Sequence, residues 1–213
     1  MPPPWRCSTR ISEAGVLVLG LTGGMGAGKS TIARLFRLRH IPVFDADATV
    51  HRLQGRHGAA VAPIATLCPQ AVADGRIRRD VLRTFATRSP DAMRALEAIM
   101  HPLVAQARAQ FLRTARGRGA WLCVLDIPLL FEVGADRDCD LVVVAHAPLA
   151  TRRRRIAVRR GVSMEAADAL IARQMSDRAR LARADIVIPT GLSRHVAAVQ
   201  VARLLDRLYK LRP

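Results

Sequence analysis

Residues 23–30 read GGMGAGKS and join two opposite patterns. Before them, Val16–Thr22 is a continuous apolar run with the length and flanks of a buried strand; after them, Thr31–Arg39 carries helix-compatible apolar spacing. Few folds admit a glycine-rich turn at such a junction. Gly23, Gly28, Lys29 and Ser30 satisfy G-x-x-x-x-G-K-[ST] in the context that pattern requires. Glycines let successive backbone N–H groups turn inward around phosphate oxygens, and the following helix adds its positive N-terminal end. Gly24, Met25, Gly26, Ala27, Gly28, Lys29, Ser30 and Thr31 are therefore expected to bind ATP. Lys29 would reach the β- and γ-phosphates and Ser30 would ligate Mg²⁺. The bland alternative is a glycine-rich turn with no ligand. The loop does not say whether the phosphoryl group passes to water, a protein or a metabolite.

Four more apolar runs rich in Val, Ile and Leu have the same strand character: Ile41–Ala46, Trp121–Ile127, Asp140–His146 and Asp185–Ile188. Continuous apolar strands alternating with helices predict an α/β class, a doubly wound five-stranded parallel sheet covered on both faces. About seventy residues separate the second run from the third, far more than a crossover helix needs, so an inserted helical lobe is expected. Within it Arg79–Ala86 and Met93–Arg113 read as helices, with Ser89-Pro90-Asp91 as the turn between them. The organisation expected is a core of residues 15–47, 119–147 and 184–213, a lobe over 48–118, and an arginine-rich helical lid over 148–183. Residues 1–14, Pro-rich at 2–4, read as an extension. They do not read as a signal peptide, because Glu13 breaks the lead-in and the apolar run flows directly into the glycine loop.

No run of about 18 apolar residues occurs, so no membrane span and no membrane partner is expected. The net charge of +17 attracts any polyanion, and by itself does not choose among nucleic acid, membrane and phosphorylated metabolites. The sequence offers no aromatic-basic stacking platform, so nucleic acid is not expected as a partner. Of 34 basic residues only Lys29 and Lys210 are lysine, which makes Lys29 stand out. Cys7, Cys68, Cys123 and Cys139 lie far apart without a C-x-x-C pair, which reads as a reduced, cytoplasmic chain without a metal cluster. A monomer or weak homo-oligomer is expected.

The second strand run ends in FDAD, placing Asp45 and Asp47 at a carboxyl end, where ligands gather in open α/β sheets. A carboxylate there can accept a proton from an attacking hydroxyl, or can serve as an Asx turn or helix N-cap. Asp126 closes WLCVLD and has the form of a Mg²⁺-associated carboxylate, or of a strand-end turn residue before Pro128. Glu132, six residues on, can orient water or cap a helix. In TRRRRIAVRRG, Arg155 and Arg159 stand four apart on one helix face among Arg152, Arg153, Arg154 and Arg160. Guanidinium groups suit bidentate phosphate contact, although composition alone favours a solvated basic face.

The succession LTGGMGAGKST, FDAD, LEAIMHP, DIPLLFE, an arginine-bearing helix and ADIVI resembles the dephospho-CoA kinases over roughly residues 17–190. That resemblance implies transfer of phosphate from ATP to the ribose 3′-hydroxyl of dephospho-CoA, giving CoA and ADP. It implies that Asp47 is the general base and Lys29, Arg155 and Arg159 its catalytic companions. Gln174 and Arg180 would neighbour the lid arginines on the return helix. Arg79, His101, Pro128 and Leu129 would contact the acceptor, and Asp126 with Ser30 would hold the metal. His101 taken alone reads as a packed helix-end residue, because Pro102 explains a chain break. One departure stands out: Pro189-Thr190-Gly191 replaces a turn in which the family usually carries asparagine, so that side chain's adenine contact is not expected here. Another small-molecule kinase with the same core, of the nucleoside monophosphate or shikimate type, and a nucleic-acid-stimulated ATPase are the competing readings.

Overall fold

The computed structural model describes residues 15–210. The first apolar run forms β1 (Leu17–Gly23), the glycine loop follows, and α1 (Lys29–Arg37) begins at the conserved-pattern lysine itself. Next come β2 (Val43–Asp45), α2 (Ala46–Leu53) and α3 (Val61–Leu67), then the two-residue strands β3 (Val72–Ala73) and β4 (Arg76–Ile77). Helices α4 (Arg79–Ala86) and α5 (Pro90–Gly117) lead to β5 (Leu122–Asp126) and β6 (Leu141–His146). Three helices, α6 (Leu149–Arg160), α7 (Met164–Ala172) and α8 (Asp177–Ala182), precede β7 (Ile186–Pro189) and α9 (Arg194–Lys210). The extension read over 1–14, with Cys7, lies outside the described residues.

The long strands make one five-stranded sheet in the order β2-β5-β1-β6-β7, with β1 parallel to both β5 and β6 and β6 parallel to β7. The register sets Leu21 opposite Asp126 and Gly23 opposite Ala145. The carboxyl ends of the three central strands therefore lie side by side, where the dipole of α1 begins. Burial on both faces explains the absence of polar alternation: Leu19, Leu21, Leu122, Val124 and Val143 are buried on one face, and Val18, Cys123, Leu125, Val142 and Val144 on the other. Ile32, Ala33 and Phe36 of α1 and Val201, Leu204 and Leu205 of α9 pack into the same core. Each such side chain contributes about 1.5–3 kcal/mol of apolar burial. Trp121 closes the bottom of the sheet edge-on to Tyr209, with ring centroids 5.6 Å apart.

The chain divides into two compact units, one of residues up to Phe44 together with those from Ala115, the other Asp45–Thr114. The second unit has its own core, in which Ala60, Ile64, Cys68, Ala71, Ile77, Leu82 and Met100 are buried. Strands β3 and β4 form an antiparallel hairpin there, joined by Asp74-Gly75, whose φ angles of 50° and 70° are those a two-residue type I′ turn demands.

Helix α5 corrects the expected chain break. It runs 28 residues straight through Pro102, and both His101 and Pro102 are exposed at mid-helix instead of packed at an end. Leu96, Ile99 and Met100 on one side of the proline, and Leu103 and Val104 on the other, all pack into the second unit's core. Their joint burial outweighs the roughly 3 kcal/mol that an interior proline costs a helix. Among the described residues no helix is long and apolar enough to cross a membrane.

Because Pro102 is exposed, Pro102→Ala is expected to stabilise the protein by about 2 kcal/mol, the roughly 3 kcal/mol cost of an interior proline less the entropy that alanine returns to the unfolded chain. Urea unfolding checks this: the midpoint rises with the m-value unchanged.

Candidate functional site

The phosphate loop is shaped by what holds its carbonyl groups. The Met25 carbonyl accepts Arg152 Nε at 2.8 Å, the Gly26 carbonyl accepts Arg155 Nη1 at 3.2 Å, and the Ala27 carbonyl accepts the Thr190 hydroxyl. In a trans peptide the N–H of the next residue points opposite to the carbonyl. Anchoring Met25 O and Ala27 O thus aims the Gly26 and Gly28 N–H groups away from these anchors. Among the described residues neither N–H, nor those of Lys29 and Ser30 that open α1, is bonded to a protein acceptor, whereas the Ala27 N–H is taken by the Gly24 carbonyl and the Thr31 N–H by the Gly28 carbonyl. Gly26 and Gly28 adopt φ of 75° and 84°, the left-handed region that this curl needs. The Met25 N–H is itself taken, by Gln174 Oε1 at 2.8 Å. A concave row of amide donors results, suited to a polyphosphate.

Lys29, the first residue of α1, forms an ion pair with Asp126, which is 4 % exposed at the end of β5. The buried carboxylate holds the ammonium group at the mouth of the loop. Ser30 is exposed in the first turn and Thr31 is half-buried behind it. Ser30 and Asp126 supply oxygen donors only, the ligand chemistry of Mg²⁺, an ion that relies chiefly on phosphate and water oxygens.

The arginine helix departs from a simple solvated face. Arg152 is 2 % exposed, with Nη1 2.6 Å from both oxygens of Asp177. Arg155 is half-buried, its Nη2 donating to the Thr190 carbonyl at 2.7 Å, while Arg159 one turn on is exposed. Arg180 is buried against Asp177 at 2.8 Å and the Met175 carbonyl at 2.7 Å. Burial pulls the Arg180 guanidinium below its usual range, Asp177 and Glu132 oppose that pull, and Arg152 adds to it. Glu132 therefore acts as a counter-charge in an exposed turn, not as a helix cap. In the same turn the Pro128 carbonyl accepts Thr22 Oγ1 at 2.9 Å, which leaves Leu129 45 % exposed.

In the second unit the two strand-end aspartates divide their work. Asp45 caps α2, its Oδ1 accepting the Ala48 N–H at 2.9 Å, whereas Asp47 is exposed in the first turn. Arg79, at the start of α4, reaches His51 of α2: Nη1 lies 3.2 Å from Nε2, and Nη2 donates to the His51 carbonyl at 3.4 Å. Asp47 and His51, four apart, share one face of α2. The sequence reading missed His51, although its spacing from Asp47 was legible. It also missed the anchoring role of Thr190, whose oxygen lies 3.1 Å from the His146 carbonyl and whose single proton is shared between that acceptor and Ala27 O. The residue at the departure from the family's usual turn is thus committed to the backbone.

The sequence model described as dephospho-CoA kinase matches residues 17–193. Dephospho-CoA kinase of Gluconobacter oxydans strain 621H is 54% identical over 195 residues, covering 90% of this chain and 97% of that one. Among solved structures, TT1252 from Thermus thermophilus superposes with a TM-score of 0.79 at 33% identity, covering 93% of this chain and 99% of that one. Dephospho-CoA kinase from Campylobacter jejuni shares the fold with a TM-score of 0.63 at 18% identity, covering 89% and 96%.

Thr190→Val keeps the shape and deletes the donor. It is expected to cost about 1–3 kcal/mol, since Ala27 O loses its buried partner. At roughly 2–4 °C per kcal/mol for a chain of this size, calorimetry should show the melting midpoint fall by several degrees, while Thr190→Ser stays near the parent.

Proposed function

The chain belongs to the dephospho-CoA kinase family, and from that premise we propose that Asp47 takes the proton of the ribose 3′-hydroxyl as its oxygen attacks the γ-phosphorus of ATP. The reaction is ATP-dependent phosphorylation of dephospho-CoA in CoA biosynthesis. The new bond joins the 3′-oxygen to phosphorus, the bond to the β–γ bridging oxygen breaks, and ADP leaves. The observation that carries the assignment is the division between the two aspartates: capping occupies Asp45, and the exposed carboxylate is that of Asp47. Proton acceptance by a positioned carboxylate is worth typically 10²–10⁴ in rate.

The amide donors of Gly26, Gly28, Lys29 and Ser30 cradle the ATP phosphates, and Lys29 exchanges Asp126 for the β- and γ-phosphates. Asp126 and Ser30 Oγ would then hold Mg²⁺, which when bound neutralises charge on the phosphate oxygens. Arg159 and Arg155 on α6 serve as the lid's phosphate contacts, Arg155 trading its two carbonyl partners for oxyanions. Closure of such a lid excludes water and so favours transfer over hydrolysis. Arg79, oriented by His51, suits an acceptor phosphate, His101 lines the exposed side of α5, and Pro128 with exposed Leu129 offers apolar contact to the acceptor's carbon chain. Cys68 and Cys123 are buried thiols, which suits a reducing compartment such as the cytoplasm.

A coupled ADP-release assay with MgATP, run with and without dephospho-CoA and followed by mass analysis, tests the reading. ADP formation that requires the acceptor, and a product heavier by one phosphate, is expected; equal ADP release without acceptor would reject the assignment. In Asp47→Asn, kcat should fall by about 10²–10⁴ with both KM values little changed. Asp126→Asn should instead raise the Mg²⁺ concentration needed for half-maximal rate.

A further inference from the structure

Arg152 of α6 has no part in the catalytic scheme, yet it is 2 % exposed and among the largest fully buried side chains of the described residues. Every neighbour in its RRRR run is less buried. We propose that Arg152 is a positioning residue of the nucleotide site, a buried strut that with Asp177 sets the orientation of the Met25–Gly26 peptide and hence of the amide that receives phosphate. The proposal rests on ATP binding in the glycine loop.

The geometry gives each donor a separate task. Nε donates to the Met25 carbonyl at 2.8 Å, and Nη1 donates to both oxygens of Asp177 at 2.6 Å. A planar guanidinium bound at both places cannot rotate about either, so the peptide plane of Met25–Gly26 is tied to the start of α8. The glycines of the loop fit this strut closely. A Cβ at Gly24 would stand 2.4 Å from Arg152 Nη2 and 3.0 Å from Arg180 Nη1, and one at Gly26 would stand 2.8 Å from the Arg152 carbonyl. Gly24 is thus required at a position where the G-x-x-x-x-G-K-[ST] pattern allows any residue. Arg180 shares Asp177 with Arg152 at 2.8 Å, so two guanidinium groups rest on one carboxylate, with Glu132 as a further acidic neighbour of Arg180.

This arrangement separates Arg152 from Arg155 and Arg159. Swinging Arg152 toward phosphate would leave Asp177 with Arg180 alone, release the Met25 carbonyl and empty a packed site, so it stays in place as nucleotide arrives. Its effect passes through Gly26 N–H and falls on ATP affinity, not on the charge that develops at the reacting phosphorus.

The test uses the full chain and three substitutions, read by steady-state kinetics and by titration with a fluorescent ATP analogue. Arg152→Lys keeps the charge beside Asp177 but cannot span both partners. It is expected to raise KM for ATP about tenfold, with kcat and KM for dephospho-CoA within about threefold. Arg152→Gln and Asp177→Asn should each weaken the analogue at least as much. Because Asp177→Asn also takes the counter-charge from buried Arg180, the double substitution should bind the analogue no worse than Asp177→Asn alone, the non-additivity of a shared contact. An Arg152→Lys enzyme with parental KM for ATP, or one that loses kcat by about 100-fold at unchanged KM, would overturn the proposal, the latter by making Arg152 a ligand of the reacting phosphate. Losses that multiply in the double variant would overturn the pairing with Asp177. Because the titration needs no acceptor, it reads the strut even if dephospho-CoA proved not to be turned over.

Discussion

Everything at the nucleotide site depends on the rigidity of the peptide plane. A glycine-rich loop is by composition the least ordered piece of chain that could be chosen to grip an anion, because glycine loses more conformational freedom on ordering than any other residue. Here the cost is met in advance. Three consecutive carbonyls, of Met25, Gly26 and Ala27, are each bound by a side chain from α6 or the end of β7. Fixing the acceptor side of each plane fixes the donor side, so the amides are oriented before any phosphate arrives. Such preorganisation reduces the ordering that binding must otherwise supply.

The chain's excess of positive charge takes on different meanings at different depths. Arg152 and Arg180 are buried and share Asp177, so their charge is spent on architecture. Arg183 lies over the Phe131 ring at 4.3 Å and pairs with Asp136, bracing the turn that carries Pro128 and Leu129. Lys29 faces Asp126 and differs from all of these in having a compact ammonium that a phosphate can draw away. The arginine forks hold fixed geometry, and the lysine supplies a movable point charge. That contrast sets Lys29 apart in a chain that otherwise uses arginine almost throughout.

The sheet was legible because its central strands are buried on both faces and its less buried edge strands are still written in apolar residues; the five runs appear as strands within one or two residues of their expected ends. The glycine loop was legible because its pattern is local. What escaped was set by partners distant in sequence. Nothing in RRRR distinguishes Arg152 from Arg153 or Arg154 until Asp177 and the Met25 carbonyl are brought beside it, and Thr190 becomes an anchor only when Ala27 lies across from it. The helix through Pro102 was hidden because packing of residues on both sides overrides the local signal. The Asp74-Gly75 hairpin, by contrast, had a plain local cue, a turn dipeptide between apolar residues.

The second unit interrupts the chain between Phe44 and Ala115 and buries its own cluster around Ile64, Leu82 and Met100. A segment with a private core can drift in sequence without loosening the groups that grip ATP, and a change in the grip need not disturb the segment. In heritable terms the chain carries two cassettes spliced at two points. The two apolar clusters share no residue, so substitutions that reshape one can accumulate without unpacking the other.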